Sequence, residues 1–305
     1  MTISVIIPTY NGAKKLPNIL NALTQQTYQD FETIVVIDGS TDNTIEMLEK
    51  ENHWNLKDFK FIFQENGGRS KVRNFGAKNA KGELLIFFDD DTRPQKDSIE
   101  RHKNHYQKFQ KTILVGNPPI QKEKTISYFD KYRCYLNYIW VNDLSPSPFR
   151  IQTPFFTAAN CSIPVSIFKK LRGFDENLTD AEDFDMAMRA FELNIPLYFD
   201  IDNIAWHDDF VSCKKYIQRL RQYNQSHEYL SKLKPELLKK YPIYIPAELN
   251  WKKKIVYSFF GNHFFVDLID NNSLFFKILP TFLRYKIYDY VITSLSKYYN
   301  NRKLD

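Results

Sequence analysis

The stretch Leu84-Leu85-Ile86-Phe87-Phe88-Asp89-Asp90-Asp91-Thr92-Arg93-Pro94 is the part of this sequence around which the fold is organised. Its five apolar residues predict a strand that is buried on both faces, as in a parallel sheet. The three acids that follow repel one another unless a cation or solvent offsets their charge. Because open α/β sheets bind ligands at the carboxyl ends of their strands, a divalent metal ion is one candidate for this offset. A solvated acidic turn explains the three acids equally well.

The composition is that of a well-packed globular protein, with 43% hydrophobic and 16% aromatic residues among 305. The net charge of +6 suits phosphate-bearing small molecules or an anionic membrane surface, and it is too small to indicate nucleic acid. The three cysteines are far apart in the chain and lack metal-binding spacing, which favours a reduced protein. Since neither a secretory signal nor a run of about 18 apolar residues is visible, we expect a cytoplasmic protein.

Strands and helices alternate with short connections in the first third of the chain. The predicted strands are Ser4–Pro8, Thr33–Ile37, Phe59–Phe63 and Leu84–Phe88, and the predicted helices include Leu16–Leu23, Ile45–Leu48 and Arg69–Ala80. This alternation predicts an α/β fold with a mostly parallel central sheet flanked by helices. Three of the four strands end in polar turns that carry Tyr10, Asp38 and the three acids, so we expect these side chains to converge on one rim of the sheet.

Glycine-rich phosphate-binding motifs are missing from the sequence. No Gly-x-Gly-x-x-Gly follows the first strand, and no Gly-x-x-x-x-Gly-Lys-Ser/Thr occurs. We therefore expect a metal ion and basic side chains to hold any phosphate, with Arg73 and Lys71 as the nearest cations.

Two segments of the second half of the chain carry chemistry with more than one interpretation. Asp180 begins a predicted helix, Asp180–Arg189, with Phe184, Met188 and Phe191 on its buried side. Helix capping explains Asp180 and one further acid of this helix, but four acids within six residues exceed what capping requires. A carboxylate in the first turn could instead accept a proton. His207 ends a strand beside two acids and is a structural residue, an extra metal ligand or a phosphate contact.

Aromatic and basic residues are concentrated in three further segments. The stretch Tyr128–Trp140 is more typical of a core than of a sugar-stacking surface. Ser212–Leu233 is predicted to be a basic amphipathic helix. Trp251–Tyr299 is predicted to be a helical appendage packed on the main domain, with docking at a membrane interface as the alternative.

An ordered set of motifs resembles the family 2 glycosyltransferases of the GT-A fold over about residues 1–225. The motifs are Ser4-Val-Ile-Ile-Pro-Thr-Tyr-Asn-Gly12, Asp38-Gly-Ser-Thr-Asp42, Gly67-Gly68 through Arg73-Asn74, Asp89-Asp-Asp91, Gly173-Phe-Asp175 and Glu182-Asp183. The resemblance implies a catalytic domain over 1–233, divided into a nucleotide-binding half (about 1–117) and an acceptor half (about 118–233). Residues 234–305 match nothing in the family and form a C-terminal extension.

The resemblance also implies roles for individual positions. The nucleotide-sugar-binding positions are Pro8, Tyr10, Asp38, Arg73, Asp89 and Asp90, of which Tyr10 and Asp38 hold the base and Asp90 lies against the ribose. The metal positions are Asp91 and His207, the latter near the diphosphate. Asp183 matches the general base of the inverting members, and Glu182 lies beside it.

The activity implied by the resemblance is metal-dependent transfer of a sugar with inversion. Mg²⁺ or Mn²⁺ is the implied cofactor, a nucleotide sugar (UDP-sugar favoured) the donor, and a hydroxyl of a glycan or lipid-linked molecule the acceptor. The implied setting is surface polysaccharide assembly, with peripheral contact at the inner face of the membrane. The sequence departs from the family at Ile37, where a second acid is common before Asp38. Gln218-Arg-Leu-Arg221-Gln222 lacks the tryptophan of processive synthases, so we expect a non-processive enzyme.

Three other functions compete with this hypothesis. A haloacid-type phosphatase requires Thr or Val where this chain has Arg93, and a sugar-nucleotide pyrophosphorylase requires a glycine-rich loop with arginine that residues 8–14 lack. A non-catalytic nucleotide-sugar sensor or scaffold on the same fold would need neither the metal-binding acids nor Asp183. The presence of both favours an enzyme.

Overall fold

The computed structural model describes residues 1–50, 55–141, 146–243 and 248–304. The chain divides into two units, each with its own core. Unit 1 comprises Met1–Pro119 and Trp140–Asp208, and unit 2 comprises Ile120–Ile139 and Asp209–Asp305.

The strands of the described residues form one mixed sheet in unit 1. They are β1 (Ile3–Thr9), β2 (Glu32–Asp38), β3 (Asp58–Gln64), β4 (Leu84–Phe88), β5 (Thr92–Pro94), β6 (Ile113–Asn117), β7 (Phe149–Arg150), β8 (Asn160–Pro164) and β9 (Leu197–His207). The order is β3-β2-β1-β4-β8-β6-β9-β5, with β7 paired to β9. The first four strands are parallel, as predicted, whereas β8 runs antiparallel to β4 and β6. Leu197–His207 is one continuous strand, and His207 ends it as predicted.

Thirteen α-helices lie within the described residues of the two units. They are α1 (Leu16–Thr24), α2 (Thr44–Lys50), α3 (Arg69–Lys78), α4 (Ser98–Lys108), α5 (Tyr128–Val141), α6 (Val165–Leu171), α7 (Glu182–Glu192), α8 (Cys213–Leu233), α9 (Pro235–Lys240), α10 (Trp251–Phe260), α11 (His263–Asp270), α12 (Leu274–Ile278) and α13 (Thr281–Thr293). A 3₁₀ turn covers Lys122–Lys124 and a π-helical turn covers Ser294–Tyr298. Among the described residues, we find no helix with both the length and the apolar character needed to cross a bilayer.

Both faces of the sheet in unit 1 are buried. Successive residues of a strand point to opposite faces, so neighbouring residues pack in different cores. Ile6, Val36 and Phe87 pack on one side, and their neighbours such as Val35 and Ile86 pack on the other. Burying each such side chain stabilises the fold by about 1.5–3 kcal/mol. The run of five apolar residues in β4 is therefore explained by burial on both faces, as predicted.

The parallel arrangement places the residues that follow β1, β2 and β4 at one edge of the sheet. Thr9, Asp38 and Asp89 lie at or just after the carboxyl ends of these strands. The convergence predicted from the sequence follows from this topology.

The start of α7 differs from the prediction. The first helical residue is Glu182, and Ala181 precedes it in the left-handed region with φ of 66°. Asp180 is not the cap, because it is buried and forms an ion pair with Arg69 at 2.6 Å. The predicted buried side is only partly correct. Met188 is buried, but Phe184 and Phe191 are half-buried, and the fully buried residues are led by Met186, Ala187 and Ala190.

Unit 2 is helical and has its own aromatic core. Phe129 and Tyr132 of α5 pack with Ile217 of α8 and Tyr288 of α13. The rings of Tyr132 and Tyr288 are 5.5 Å apart in an edge-on arrangement. The core interpretation of the aromatic stretch is therefore confirmed for these residues, while Tyr138 is 61% exposed.

The two units divide the chain at other points than the predicted domains. Ile120–Ile139 and the helix α8 belong to unit 2, although the sequence placed both in a catalytic domain over 1–233. The physical reason is the shared core: α5 supplies two aromatic side chains that α8 and α13 bury.

Candidate active site

Each of the three consecutive acids has a different set of partners. Asp90 is 7% exposed, and its Oδ2 accepts a hydrogen bond of 2.6 Å from Oγ1 of Thr9. Its Oδ1 lies 3.1 Å from Nζ of Lys15. The pKa of Asp90 is raised to about 6 by burial, which outweighs the opposing charge of Lys15, and the charge of Asp91 adds to the rise. These contacts rule out a freely solvated acidic turn.

Asp91 faces His207, which β9 brings from a distant part of the sequence. β5 pairs with β9 in antiparallel register, with Thr92 opposite His207. Nε2 of His207 therefore lies 3.0 Å from Oδ1 of Asp91, and the backbone N–H of Asp208 donates to the Asp91 carbonyl at 2.8 Å. The side chains of Asp91 and His207 are each 24% exposed, so a ligand can reach them.

Asp89, Asp91 and His207 form a cluster with the dimensions of a metal site. Each offers one ligand atom, and these atoms lie within 4.8 Å of one another. Two carboxylate oxygens and an imidazole nitrogen suit Mn²⁺, and the oxygens also suit Mg²⁺. The donor set therefore fits the cation that the sequence predicted, and Asp89 offers a third ligand atom besides those of Asp91 and His207.

Arg73 of α3 lies beneath this cluster and joins it to the start of α7. Nη2 of Arg73 lies 2.8 Å from Oδ1 of Asp89, and Nη1 lies 2.7 Å from Oε1 of Glu182. The pKa of the guanidinium is raised, since the charges of Asp89, Asp183 and Glu182 outweigh burial. The pKa of Asp89 is correspondingly lowered, with burial opposed chiefly by Arg73. Arg73 is 3% exposed and pairs with two carboxylates, whereas Lys71 is exposed to solvent.

Asp183 has a free carboxylate oxygen in a buried position. Its Oδ2 accepts a hydrogen bond of 3.1 Å from the backbone N–H of Ala158, and its Oδ1 is buried without a hydrogen-bond partner among the described residues. Burial and then the charge of Glu182 raise the pKa of Asp183 to about 7, against the opposing charge of Arg73. Such a carboxylate is suited to accept a proton near neutral pH.

Glu182 has a different environment from its neighbour. Its carboxylate is 3% exposed and takes part in the buried ion pair with Arg73. The ion pair engages Oε1 of Glu182 and holds its charge beside Arg73, and a catalytic role for Glu182 beside the general base stays a prediction.

Asp38 holds a loop beside the rim of the sheet. Its Oδ1 accepts from the backbone N–H of Gly67 at 2.8 Å and from Gln64 Nε2 at 2.7 Å. Its Oδ2 accepts a hydrogen bond of 2.9 Å from the backbone N–H of Gly68. This is the one hydrogen bond that Oδ2 accepts among the described residues. Tyr10, at the end of β1, is 49% exposed. Oδ2 of Asp38 can thus accept a further hydrogen bond from a ligand, and the exposed ring of Tyr10 can contact it.

Two residues without a predicted role, Thr9 and Lys15, lie beside the cluster. Both contact Asp90, and Lys15 also lies 4.0 Å from Asp91. Lys15 directly precedes α1, so its position in a polar turn after a strand was the available signal. The charges of Asp90 and Asp91 raise the pKa of Lys15 against the effect of burial.

Comparison with known proteins identifies the family. The family model described as glycosyl transferase family 2 matches residues 4–172. An uncharacterized glycosyltransferase of Rickettsia felis is 30% identical over 203 residues, which are 65% of this chain and 32% of that protein. Poly(ribitol-phosphate) beta-N-acetylglucosaminyltransferase TarS of Staphylococcus aureus is 40% identical over 103 residues, 33% of this chain and 18% of TarS. The match thus spans about a third or less of the length of these two relatives.

Solved structures confirm the GT-A fold. The mannosyltransferase PcManGT of Pyrobaculum calidifontis, solved with GDP-Man and Mn²⁺, superposes with a TM-score of 0.60 at 16% identity, covering 99% of this chain and 88% of that one. S. aureus TarS 1–349, solved with UDP, gives a TM-score of 0.53 at 19% identity over 100% of this chain and 93% of that one. Because the family model spans more than half of the sequence, this chain belongs to glycosyl transferase family 2.

Proposed function

We propose that this protein transfers a sugar from a nucleoside diphosphate donor to a hydroxyl group of a glycan or lipid-linked acceptor, with inversion at the anomeric carbon. The observation that carries the proposal is the position of Asp183. Its unpartnered oxygen belongs to the same network of charges as the Asp89–Asp91–His207 cluster, joined to it through Arg73.

Different residues are proposed to bind the metal ion, the base and the ribose of the donor. Asp89, Asp91 and His207 would hold Mg²⁺ or Mn²⁺, which when bound offsets the negative charge that develops on the departing diphosphate. Tyr10, Pro8 and Asp38 are proposed to hold the base, and Asp90 to lie against the ribose. Related structures support a nucleotide donor, since TarS was solved with UDP and UDP-GlcNAc and GalNAc-T7 with UDP, GalNAc and Mn²⁺. We favour a UDP-sugar for this chain on that ground.

Arg73 contributes through its ion pairs. It is buried between Asp89 and Glu182, so its charge balances two carboxylates that would otherwise repel each other and the diphosphate. A direct contact with the nucleotide remains a prediction from the family resemblance.

The proposed chemical step is a single displacement. The acceptor oxygen attacks the anomeric carbon from the face opposite the leaving group, and the bond between that carbon and the phosphate oxygen breaks. The nucleoside diphosphate departs with the electron pair, and Oδ1 of Asp183 takes the proton of the acceptor hydroxyl as attack proceeds. One displacement inverts the anomeric centre and requires no covalent intermediate.

The proposed acceptor is a hydroxyl of a glycan or of a lipid-linked molecule. TarS is named as a poly(ribitol-phosphate) transferase, which supports a polymer as an acceptor class. A role in polysaccharide assembly, and a cytoplasmic location in contact with the inner face of the membrane, stay predictions from the sequence.

One experiment separates the enzyme from a non-catalytic nucleotide-sugar sensor. The full chain is screened for thermal stabilisation by UDP- and GDP-sugars with and without Mn²⁺, and release of nucleoside diphosphate is then measured for each stabilising donor. A ligand at 100 times its Kd stabilises by about 2.7 kcal/mol, which such a screen detects. Mn²⁺-dependent stabilisation with turnover supports the enzyme. Stabilisation without turnover, unchanged by Asp183→Asn, would identify a sensor.

A further inference from the structure

Unit 2 contains two cations that share one aromatic ring. Cζ of Arg284 lies 4.0 Å from the centroid of the Tyr128 ring, and Nζ of Lys131 lies 5.3 Å from it. Arg284 is only 6% exposed, and its Nε and Nη1 have no hydrogen-bond partner among the described residues. Its Nη2 donates to Oγ1 of Thr281 at 3.2 Å. A buried guanidinium without a carboxylate partner leaves a positive charge for something else to balance.

A surface cavity lies beside this pair of cations. It has a volume of about 270 Å³ and is lined by Ile126, Tyr128, Lys131, Asn272 and Lys277. Neither lysine forms an ion pair in the described part of the chain. The cavity therefore presents two ammonium groups, and its Tyr128 ring is in contact with the buried guanidinium of Arg284.

The carboxylates of the neighbouring turns are used elsewhere. Asp130 accepts hydrogen bonds from the backbone N–H groups of Ile126 and Ser127 at the start of α5. Asp270 accepts from the backbone N–H groups of Cys213 and Lys214 at the start of α8. Both acids thus bind backbone N–H groups at helix starts, and neither forms an ion pair with a lysine of the cavity among the described residues.

Large apolar side chains that line the cavity, or belong to the same or the next helix as Lys277, are exposed to solvent. Ile126, which lines it, is 87% exposed. Lys277 belongs to α12, whose Leu274 and Ile278 are 72% and 73% exposed, and Phe282 at the start of α13 is 70% exposed. One exposed apolar side chain in the cavity and three more on α12 and at the start of α13 are more than scattered surface residues require.

The charge of unit 2 reinforces this local pattern. Its sequence holds 21 Lys and Arg against 10 Asp and Glu, a net charge of +11, whereas the whole chain carries +6. A second copy of the chain would bring the same positive charge to this surface, which disfavours self-association there. Nucleic acid would match the charge but would leave Leu274 and Ile278 without an apolar partner.

We propose that this surface of unit 2 docks on a bilayer containing anionic phospholipids. We call it the docking face and define it by Ile126, Lys131, Leu274, Lys277, Ile278 and Phe282. The lysines bind lipid phosphate groups at the cavity, and the apolar side chains enter the boundary between headgroups and acyl chains. Anionic lipid satisfies both features at once, because it offers negative charge at the surface and hydrocarbon beneath.

The test uses the full chain and sedimentation with vesicles, without donor or acceptor, so its result does not depend on transfer activity. Vesicles of phosphatidylcholine are compared with vesicles containing roughly one third phosphatidylglycerol, whose surface charge attracts basic residues. We expect binding to the anionic vesicles alone. Raising the ionic strength from about 0.1 M to about 1 M should weaken binding, because the screening length falls from about 10 Å to about 3 Å.

Two double variants separate the two halves of the docking face. Lys131→Gln with Lys277→Gln should weaken vesicle binding about 30-fold, or about fivefold for each lysine. Ile278→Ser with Phe282→Ser should weaken it about tenfold or more. The matched controls in unit 1 are Lys169→Gln with Lys170→Gln, and Phe63→Ser, whose side chain is 70% exposed. All these positions are exposed at the surface, and circular dichroism verifies folding.

Several results would overturn the proposal. They are absence of vesicle binding by the wild-type chain, equal binding to neutral and anionic vesicles, or binding that neither double variant changes. Light scattering that shows an oligomer dissolved by Ile278→Ser with Phe282→Ser, with vesicle binding unaltered, would assign the face to a second copy instead.

Discussion

Nε2 of His207 lies 3.0 Å from Oδ1 of Asp91, although 116 positions separate the two residues in the chain. The antiparallel pairing of β5 with β9 produces this contact, since it sets Thr92 opposite His207. The carboxylate and the imidazole thereby become available to a single cation together with Asp89. This relationship turns an acidic turn into a candidate metal site.

Asp91→Asn should remove metal-dependent donor binding. The amide keeps the size of the side chain but loses the negative charge that a divalent cation requires, so affinity for UDP in the presence of Mn²⁺ should fall at least about 100-fold. Isothermal titration calorimetry measures this change. Asp202→Asn, an exposed acid on the same strand as His207, is the control and should bind as the wild type does. Unchanged affinity of Asp91→Asn would exclude Asp91 as a ligand.

Asp183→Asn should separate binding from transfer. The substitution removes the proton acceptor while preserving the hydrogen bond from Ala158, so the rate of transfer should fall about 10²–10⁴-fold with little change in donor affinity. Radiolabelled sugar transfer and calorimetry measure the two quantities. Glu192→Gln, an exposed acid at the other end of α7, should retain wild-type activity. Transfer by Asp183→Asn at the wild-type rate would disprove the assignment of the base.

Glu182→Gln should shift the pH dependence of transfer. The negative charge of Glu182 raises the pKa of Asp183, and its removal also leaves the positive charge of Arg73 less balanced. Both effects lower the pKa of Asp183, so the acidic limb of the kcat/KM profile should move to lower pH. A profile measured at constant ionic strength between pH 5 and 9 tests this direction. A limb that stays in place or moves upward would contradict the proposed coupling.

His102 should make the protein less stable in mild acid. It is fully buried between Ser162 Oγ and Asn160 Oδ1, at 2.9 Å from each, and burial lowers its pKa from 6.5 to about 4. Between these two values the unfolded chain binds a proton that the folded chain does not, so the free energy of unfolding decreases as pH falls from about 6.5 to about 4. The shift corresponds to about 3 kcal/mol over the whole window.

Urea unfolding at several pH values measures this effect. His105, whose pKa burial also lowers to about 4, adds to it. His102→Gln should flatten the dependence on pH, whereas His263→Gln, at an exposed position, should leave it unchanged. An equally steep dependence in His102→Gln would show that His102 is not the source.

The parallel strands, the polar rim and the acid cluster were predictable because local patterns carry them. Runs such as Leu84–Phe88 can be buried only inside a sheet, and alternation with helices makes the neighbouring strands parallel. The start of α7 was less predictable. The sequence pattern predicted that Asp180 caps the helix. In the structure Asp180 forms an ion pair with Arg69, and Ala181 precedes the helix in a left-handed conformation.

The sequence by itself determined the α/β class, the positions of the strands and the carboxylates that stand at the rim of the sheet, because each depends on residues close together in the chain. Only the tertiary structure decided which partners surround each carboxylate. Arg73 pairs with Asp89 and Glu182, Lys15 and Thr9 contact Asp90, and Oδ1 of Asp183 is buried without a hydrogen-bond partner among the described residues. These differences arise from partners far apart in the sequence, since burial and neighbouring charge set the behaviour of an acid and both are properties of the folded chain.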